Sequence, residues 1–235
     1  GHLECLRYAR ENGCPWDEKT CEEAAKAGDL QEIKRLRLEC WTNGVNPDAW
    51  WDAWTCRAAA EGGQLECLKY LHENGCPWDE WACRTAALRG HLECLKYLHE
   101  NGCPWNAWTC RAAAEGGQLE CLKYLHENGC PWDEWACTHA ALWCHLECLK
   151  YLHENGCPLN IDHILNEGSQ DIDENGCPWE DIEAYLKACM ESPNKCPYET
   201  AMAALDGIKE GITDGDYKTI ADALMHAHQA KRRSE

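Results

Sequence analysis

Beyond residue 53 the apolar positions of this chain fall in short clusters with helical spacing, and the clusters return every 27 residues. Leu92, Leu95 and Leu98 are spaced by three, and Cys94 and Tyr97 widen them into one apolar stripe. Glu93 and Lys96 lie on the outer face, where an i, i+3 ion pair is favourable. Gly102 stops this helix and Pro104, with no N–H to give, prevents its continuation, so the pattern predicts a helix from His91 to Asn101. The preceding stretch, Glu80 to Arg89, is Ala-rich and predicts a second helix. Asp79 suits its N-cap, Glu80 suits the positive end of the helix dipole, and Gly90 suits the C-cap. Nothing in the unit alternates with period two, so no strands are expected.

Self-similarity extends this pair of helices into an array. Leu-Glu-Cys-Leu starts at Leu3, Leu65, Leu92, Leu119 and Leu146, and Asn-Gly-Cys-Pro at Asn12, Asn74, Asn101, Asn128, Asn155 and Asn175. Ala53 to Cys83 is identical to Ala107 to Cys137, a duplicated pair of units. Degenerate starts at Gly1 and Gly28 complete the set, giving units near 1–27, 28–62, 63–89, 90–116, 117–143 and 144–170. The second is longer, with its extra residues around Trp41 to Asp52. Two helices this short cannot bury their own stripe, so neighbours must stack into a solenoid with one continuous core. The expectation is an all-α, α-solenoid array over residues 1–159 and an irregular helical C-terminal cap over 160–235, with helices at Glu180–Glu191, Tyr198–Glu210 and Asp216–Ala230. The N-terminus opens on a second helix without its partner. Either residues before Gly1 are missing or another chain covers that end, and end-to-end self-association is one reading of it.

The residues Gly90-His91-Leu92-Glu93-Cys94-Leu95-Lys96-Tyr97-Leu98-His99-Glu100-Asn101-Gly102-Cys103 resemble the second helix and turn of an ankyrin repeat, and Ala112-Ala113-Ala114-Glu115-Gly116-Gly117 resembles the end of an ankyrin first helix. The resemblance covers residues 1 to about 159. Two departures stand out: the unit has 27 residues where ankyrin repeats usually have 33, and Trp108-Thr109-Cys110-Arg111 replaces the usual Thr-Pro-Leu-His. The missing residues fall where ankyrins build their projecting hairpin, which implies a hairpin-less, all-helical variant. The resemblance implies protein–protein recognition and no catalysis.

Charge narrows the partners. The 235 residues carry 22 Lys and Arg against 41 Asp and Glu, a net charge of −19. That balance argues against nucleic acid, which needs clustered cations, and favours a protein partner with a basic patch. No apolar run approaches the length of a bilayer span, and no secretory signal is visible at the N-terminus. The expected compartment is therefore intracellular, most simply the cytoplasm; the absence of an initiator Met suggests a processed or partial chain.

Twenty cysteines are the strongest compositional signal. Each full unit has one in the first helix (Cys56, Cys83, Cys110, Cys137), one mid-second-helix (Cys67, Cys94, Cys121, Cys148) and one after the turn glycine (Cys76, Cys103, Cys130, Cys157). The ankyrin alignment implies core positions, hence small buried hydrophobes with inert thiols. Disulfides are a second reading, and zinc or thiol-redox chemistry a third, since His72-Cys76-Cys83, His99-Cys103-Cys110 and His126-Cys130-Cys137 repeat one soft-ligand pattern. No cofactor is expected. Trp78, Trp105 and Trp132 are expected between units. Trp54, Trp81, Trp108 and Trp135 begin the first helices and turn away from the stripe of Cys83, Ala86 and Ala87, on a surface line with Arg57, Arg84, Leu88, Arg111 and Thr138. Trp and Arg are enriched in interface hot spots, so this line is the candidate partner-binding set, against the alternative of rim packing with Arg stacked on Trp. His139, His145 and His153 gather near Trp143 and Cys144, where one unit departs from its siblings, and are read as drift. No nucleophile elbow, dinucleotide or phosphate loop, or metalloprotease motif occurs, and Asp79-Glu80 and Asp133-Glu134 are accounted for by helix capping.

Overall fold

A computed structural model describes residues 18–42, 51–168 and 179–191. The first half of the opening unit, the insertion around 43–50 and the helices expected at Tyr198–Glu210 and Asp216–Ala230 lie outside the described residues. Twelve helices occur among those described: α1 (Glu18–Ala27), α2 (Leu30–Thr42), α3 (Ala53–Glu61), α4 (Leu65–Glu73), α5 (Glu80–Arg89), α6 (Leu92–Glu100), α7 (Ala107–Glu115), α8 (Leu119–Glu127), α9 (Glu134–Leu142), α10 (Leu146–Glu154), α11 (Ile161–Gly168) and α12 (Trp179–Glu191). No strand occurs among them, in keeping with the hairpin-less expectation.

The chain divides into two compact units, Gly1–Pro131 and Trp132–Glu235. In the first, the odd-numbered helices α1, α3, α5 and α7 form one row and the even-numbered α2, α4, α6 and α8 a second, each helix packed on its neighbours in the row and on its partner in the repeat. In the second, α9 packs on α10 and on α11, and α11 on α12.

Local chemistry sets each boundary. Asp79, in extended conformation, accepts the Trp81 N–H at 3.1 Å, and Gly90 ends α5 in the left-handed region at φ 77°. After α6, the Asn101 side chain donates to Tyr97 O, while Gly102 N and Cys103 N reach back to His99 O and Leu98 O, so the helix's last carbonyls are satisfied. The buried stripes are those the sequence predicts: Cys83, Ala86 and Ala87 from α5 meet Cys94, Leu95 and Leu98 from α6, none more than 1% exposed. Small first-helix residues let the odd-numbered row pack closely. Glu61 of α3 accepts both Lys26 of α1 (2.9 Å) and Arg89 of α5 (3.2 Å), tying three repeats together. The hydrogen bond from Lys26 is the main reason its carboxyl is held below the ordinary range.

Sulfur contributes a second fastening. The turn cysteine of each repeat donates to the N-cap carbonyl that opens the same repeat's first helix: Cys76 to Asp52 O (3.3 Å), Cys103 to Asp79 O (3.2 Å), Cys130 to Asn106 O (3.4 Å) and, in the second unit, Cys157 to Asp133 O (3.1 Å). First-helix thiols lie against the same turns, with Cys56 and Cys83 pushed far above the usual thiol range, chiefly by hydrogen bonds with the thiols of Cys76 and Cys103 and then by burial. Burial likewise pushes the mid-helix thiols Cys67, Cys94 and Cys121 up to about 11. The cysteines of all three classes are buried. Cys144 differs. It takes a positive φ of 59°, rare for a residue with a side chain, and is disulfide-bonded.

Candidate protein-binding face

The face is built by one residue pair per repeat. An N-cap (Asp52, Asp79 or Asn106) fixes the first turn by accepting the backbone N–H two positions on, which belongs to the tryptophan. The arginine three positions later rises on the same side, because i and i+3 are neighbours on a helix. In the first unit each guanidinium then lies over its own ring, and those of Arg57 and Arg84 also reach the ring of the following repeat. Arg57 is 4.6 Å from the Trp54 centroid and 5.1 Å from that of Trp81; Arg84 is 4.5 Å from Trp81 and 5.3 Å from Trp108; Arg111 is 4.3 Å from Trp108. Cation–π attraction thus links successive repeats along the ladder.

This stacking leaves the rings open. Trp54, Trp81 and Trp108 are 57%, 41% and 51% exposed. Between consecutive rings lie two clefts of similar size, one of about 330 Å³ walled by Trp54, Arg57, Asp79 and Trp81, the other of about 290 Å³ walled by Trp81, Arg84, Glu80, Asn106 and Trp108. Each holds one carboxylate and one guanidinium. The acidic cleft walls were read from sequence only as caps.

The remaining members of the predicted line fare differently. Leu88 is half-buried. In the second unit Trp135 is exposed at 41%, with its ring 5.4 Å from His163 in an edge-on contact. Thr138 is a correction: it is 1% exposed, and its hydroxyl donates to Glu134 O one turn back, so it does not line the surface. A threonine is too short to follow the arginine path outward and satisfies its hydroxyl on its own helix.

The second tryptophan set joins a feature that sequence reasoning missed. His72 stacks on Trp78 and His99 on Trp105, both at 3.7 Å between ring centroids, and Tyr97 and Tyr124 of the following repeats meet these pairs edge-on. His99 Nδ1 lies 3.0 Å from the Tyr124 hydroxyl. In the second unit His153 is buried and pairs with the Tyr185 hydroxyl at 2.8 Å, with the Cys189 thiol 3.7 Å away. The fixed spacing of His, Trp and Tyr was the available signal. It places these imidazoles in aromatic clusters, and among the described residues no group of three or more His, Cys, Asp or Glu side chains converges as a metal site.

A row of two-helix repeats, closed by glycine turns and displaying a strip of Trp and Arg on its first helices, defines a helical-repeat protein. Family models for ankyrin repeats match residues 56–99 and 85–163, and that stretch is built of ankyrin repeats. Its structure is similar to the crystal structure of the human ASB11 ankyrin repeat domain, with a TM-score of 0.50 and 19% identity over 71% of this chain and 96% of that one. No curated protein matches the sequence. Ankyrin repeats serve as protein–protein interaction modules and the family is generally non-enzymatic. No helix among the described residues is long and apolar enough to cross a membrane.

Proposed function

We propose that this chain is a non-enzymatic scaffold that binds a partner protein along the ladder of Trp54, Arg57, Trp81, Arg84, Trp108 and Arg111. The observation that carries the reading is the row of exposed indoles, held in place by arginines that already stack on them, with open clefts between. Pre-positioned aromatic groups lose little side-chain freedom on binding, which leaves more of their contact energy as affinity. The net charge of −19 would steer a partner bearing a basic patch. In this reading residues 1–159 form the repeat array and 160–235 its cap, and the chain acts as one subunit of a larger assembly.

The test is a triple Trp81→Ala, Trp108→Ala, Trp135→Ala variant. Its circular dichroism should keep the helical signal, while capture of extract proteins identified by mass spectrometry on the native chain should fall about tenfold or more, the scale of a hot-spot loss. Loss of folding with capture unchanged per folded molecule would show that the rings only pack the rim.

A further inference from the structure

Resting on that reading, we propose that the occupant of the ladder is a proline-rich, lysine- or arginine-bearing segment in polyproline II conformation, one residue in three entering a cleft between successive indoles.

The argument starts from the spacing. Arg57 lies 4.6 and 5.1 Å from the rings of Trp54 and Trp81, and Arg84 lies 4.5 and 5.3 Å from those of Trp81 and Trp108, so neighbouring rings stand no more than about 10 Å apart. A polyproline II helix has three residues per turn at 3.1 Å each, and returns the same face every 9.3 Å or so. That repeat falls within the limit set by the rings, so one side chain in three can meet each cleft. A β-strand covers about 10 Å in three residues, but its third side chain points to the opposite face. An α-helix needs seven residues for the same advance. Only one of its side chains in seven would then fall at a cleft.

Chemistry agrees with the spacing. Two indole rings wall each cleft; aromatic rings are the surface on which the flat, rigid pyrrolidine ring packs, and a preformed polyproline helix has little conformational freedom left to lose. The charges are arranged to select the flanking residues. Asp79 lines the first cleft and Glu80 the second, each opposite one arginine. The arginines lie over the rings. An incoming cation thus meets Asp79 in one cleft and Glu80 in the other, within a chain of net charge −19.

The probe is a synthetic peptide of five Pro-Ala-Lys triplets. Its controls are a peptide of the same composition with the proline period destroyed and a Leu/Lys amphipathic helix of equal charge. Binding to the full chain is followed by calorimetry and by the indole N–H resonances at about 150 mM salt, where unspecific charge attraction is largely screened. Saturable binding of the period-three peptide, with shifts at Trp54, Trp81 and Trp108 and at least about tenfold weaker binding of the shuffled peptide, is the expected result. Trp81→Ala should weaken it about tenfold. Glu80→Lys, a change on an exposed residue that leaves the core intact, should weaken it severalfold even if Trp81→Ala folds poorly. Equal binding of the shuffled peptide, or preference for the helical one, would overturn the proposal. If no peptide binds while the triple tryptophan variant still loses its captured protein, the ladder remains the binding face and the polyproline occupant is wrong. If neither effect appears, both readings fall together.

Discussion

Cys94 shows what a thiol does in this core. It lies 1% exposed between leucines, and burial raises its ionisation from an ordinary 9.0 to about 11, as it does for Cys67 and Cys121 in their repeats. Burial also raises the hydroxyls of Tyr97 and Tyr124. A group whose pKa is higher in the folded chain loses its proton more readily when unfolded, so base favours unfolding. Stability is whole below pH 9 and is lost progressively as the pH rises toward 11. Urea midpoints at pH 8 and pH 10.5 should therefore differ, with the lower value at pH 10.5, and Cys67→Ala, Cys94→Ala and Cys121→Ala combined should flatten that dependence. Identical midpoints would mean that these thiols do not titrate from the core. Their burial was legible from the stripe they share with leucine. Thr138 was not, because the repeat alignment transfers a position but not the length of its side chain.

Helix boundaries were legible because Asp79, Gly90, Asn101 and Gly102 act on their own neighbours. The Cys103 bond to Asp79 O and the His99 contact with Tyr124 were not, because they join groups 24 and 25 residues apart. A repeat period fixes spacing along the chain; it does not say which atoms meet across it. Two glycines test this distinction. Gly102 has φ 81° with open space where a Cβ would go, so Gly102→Ala costs only the left-handed backbone, about 1–2 kcal/mol. Gly116 is in the ordinary helical region at φ −82°, yet a Cβ there would stand 2.1 Å from the Leu88 carbonyl oxygen. Accommodating it means forcing α5 and α7 apart, which costs the packing between repeats. Gly116→Ala should be the more destabilising change, by at least about 1 kcal/mol beyond Gly102→Ala in urea unfolding. The reverse order would mean that turn conformation, and not the approach of neighbouring helices, limits the glycine positions.

At the scale of the whole chain, the identity of Ala53–Cys83 with Ala107–Cys137 makes a deletion a sharper test than any substitution. Removing Ala53–Asn106 joins Asp52 to Ala107 and restores after the joint the same 31 residues that followed it before. The helix then facing α1 has the sequence of α3, so the interface at the joint is rebuilt from identical side chains. In a repeat protein, where stability is close to a sum of repeat and neighbour terms, the shortened chain should fold. Its helical signal per residue should be unchanged, its urea midpoint lower for want of two interfaces, and its m-value smaller by roughly a quarter, in line with the residues removed. Loss of the helical signal would show that distant parts of the chain, and not adjacent repeats, hold the array. The same deletion removes Trp54, Arg57, Trp81 and Arg84 and keeps Trp108 and Arg111, so it takes away both clefts while leaving a rung in place. A folded deletion variant that no longer binds the period-three peptide would therefore separate the two properties of the repeat: stacking, which one neighbour satisfies, and recognition, which needs several rungs in succession.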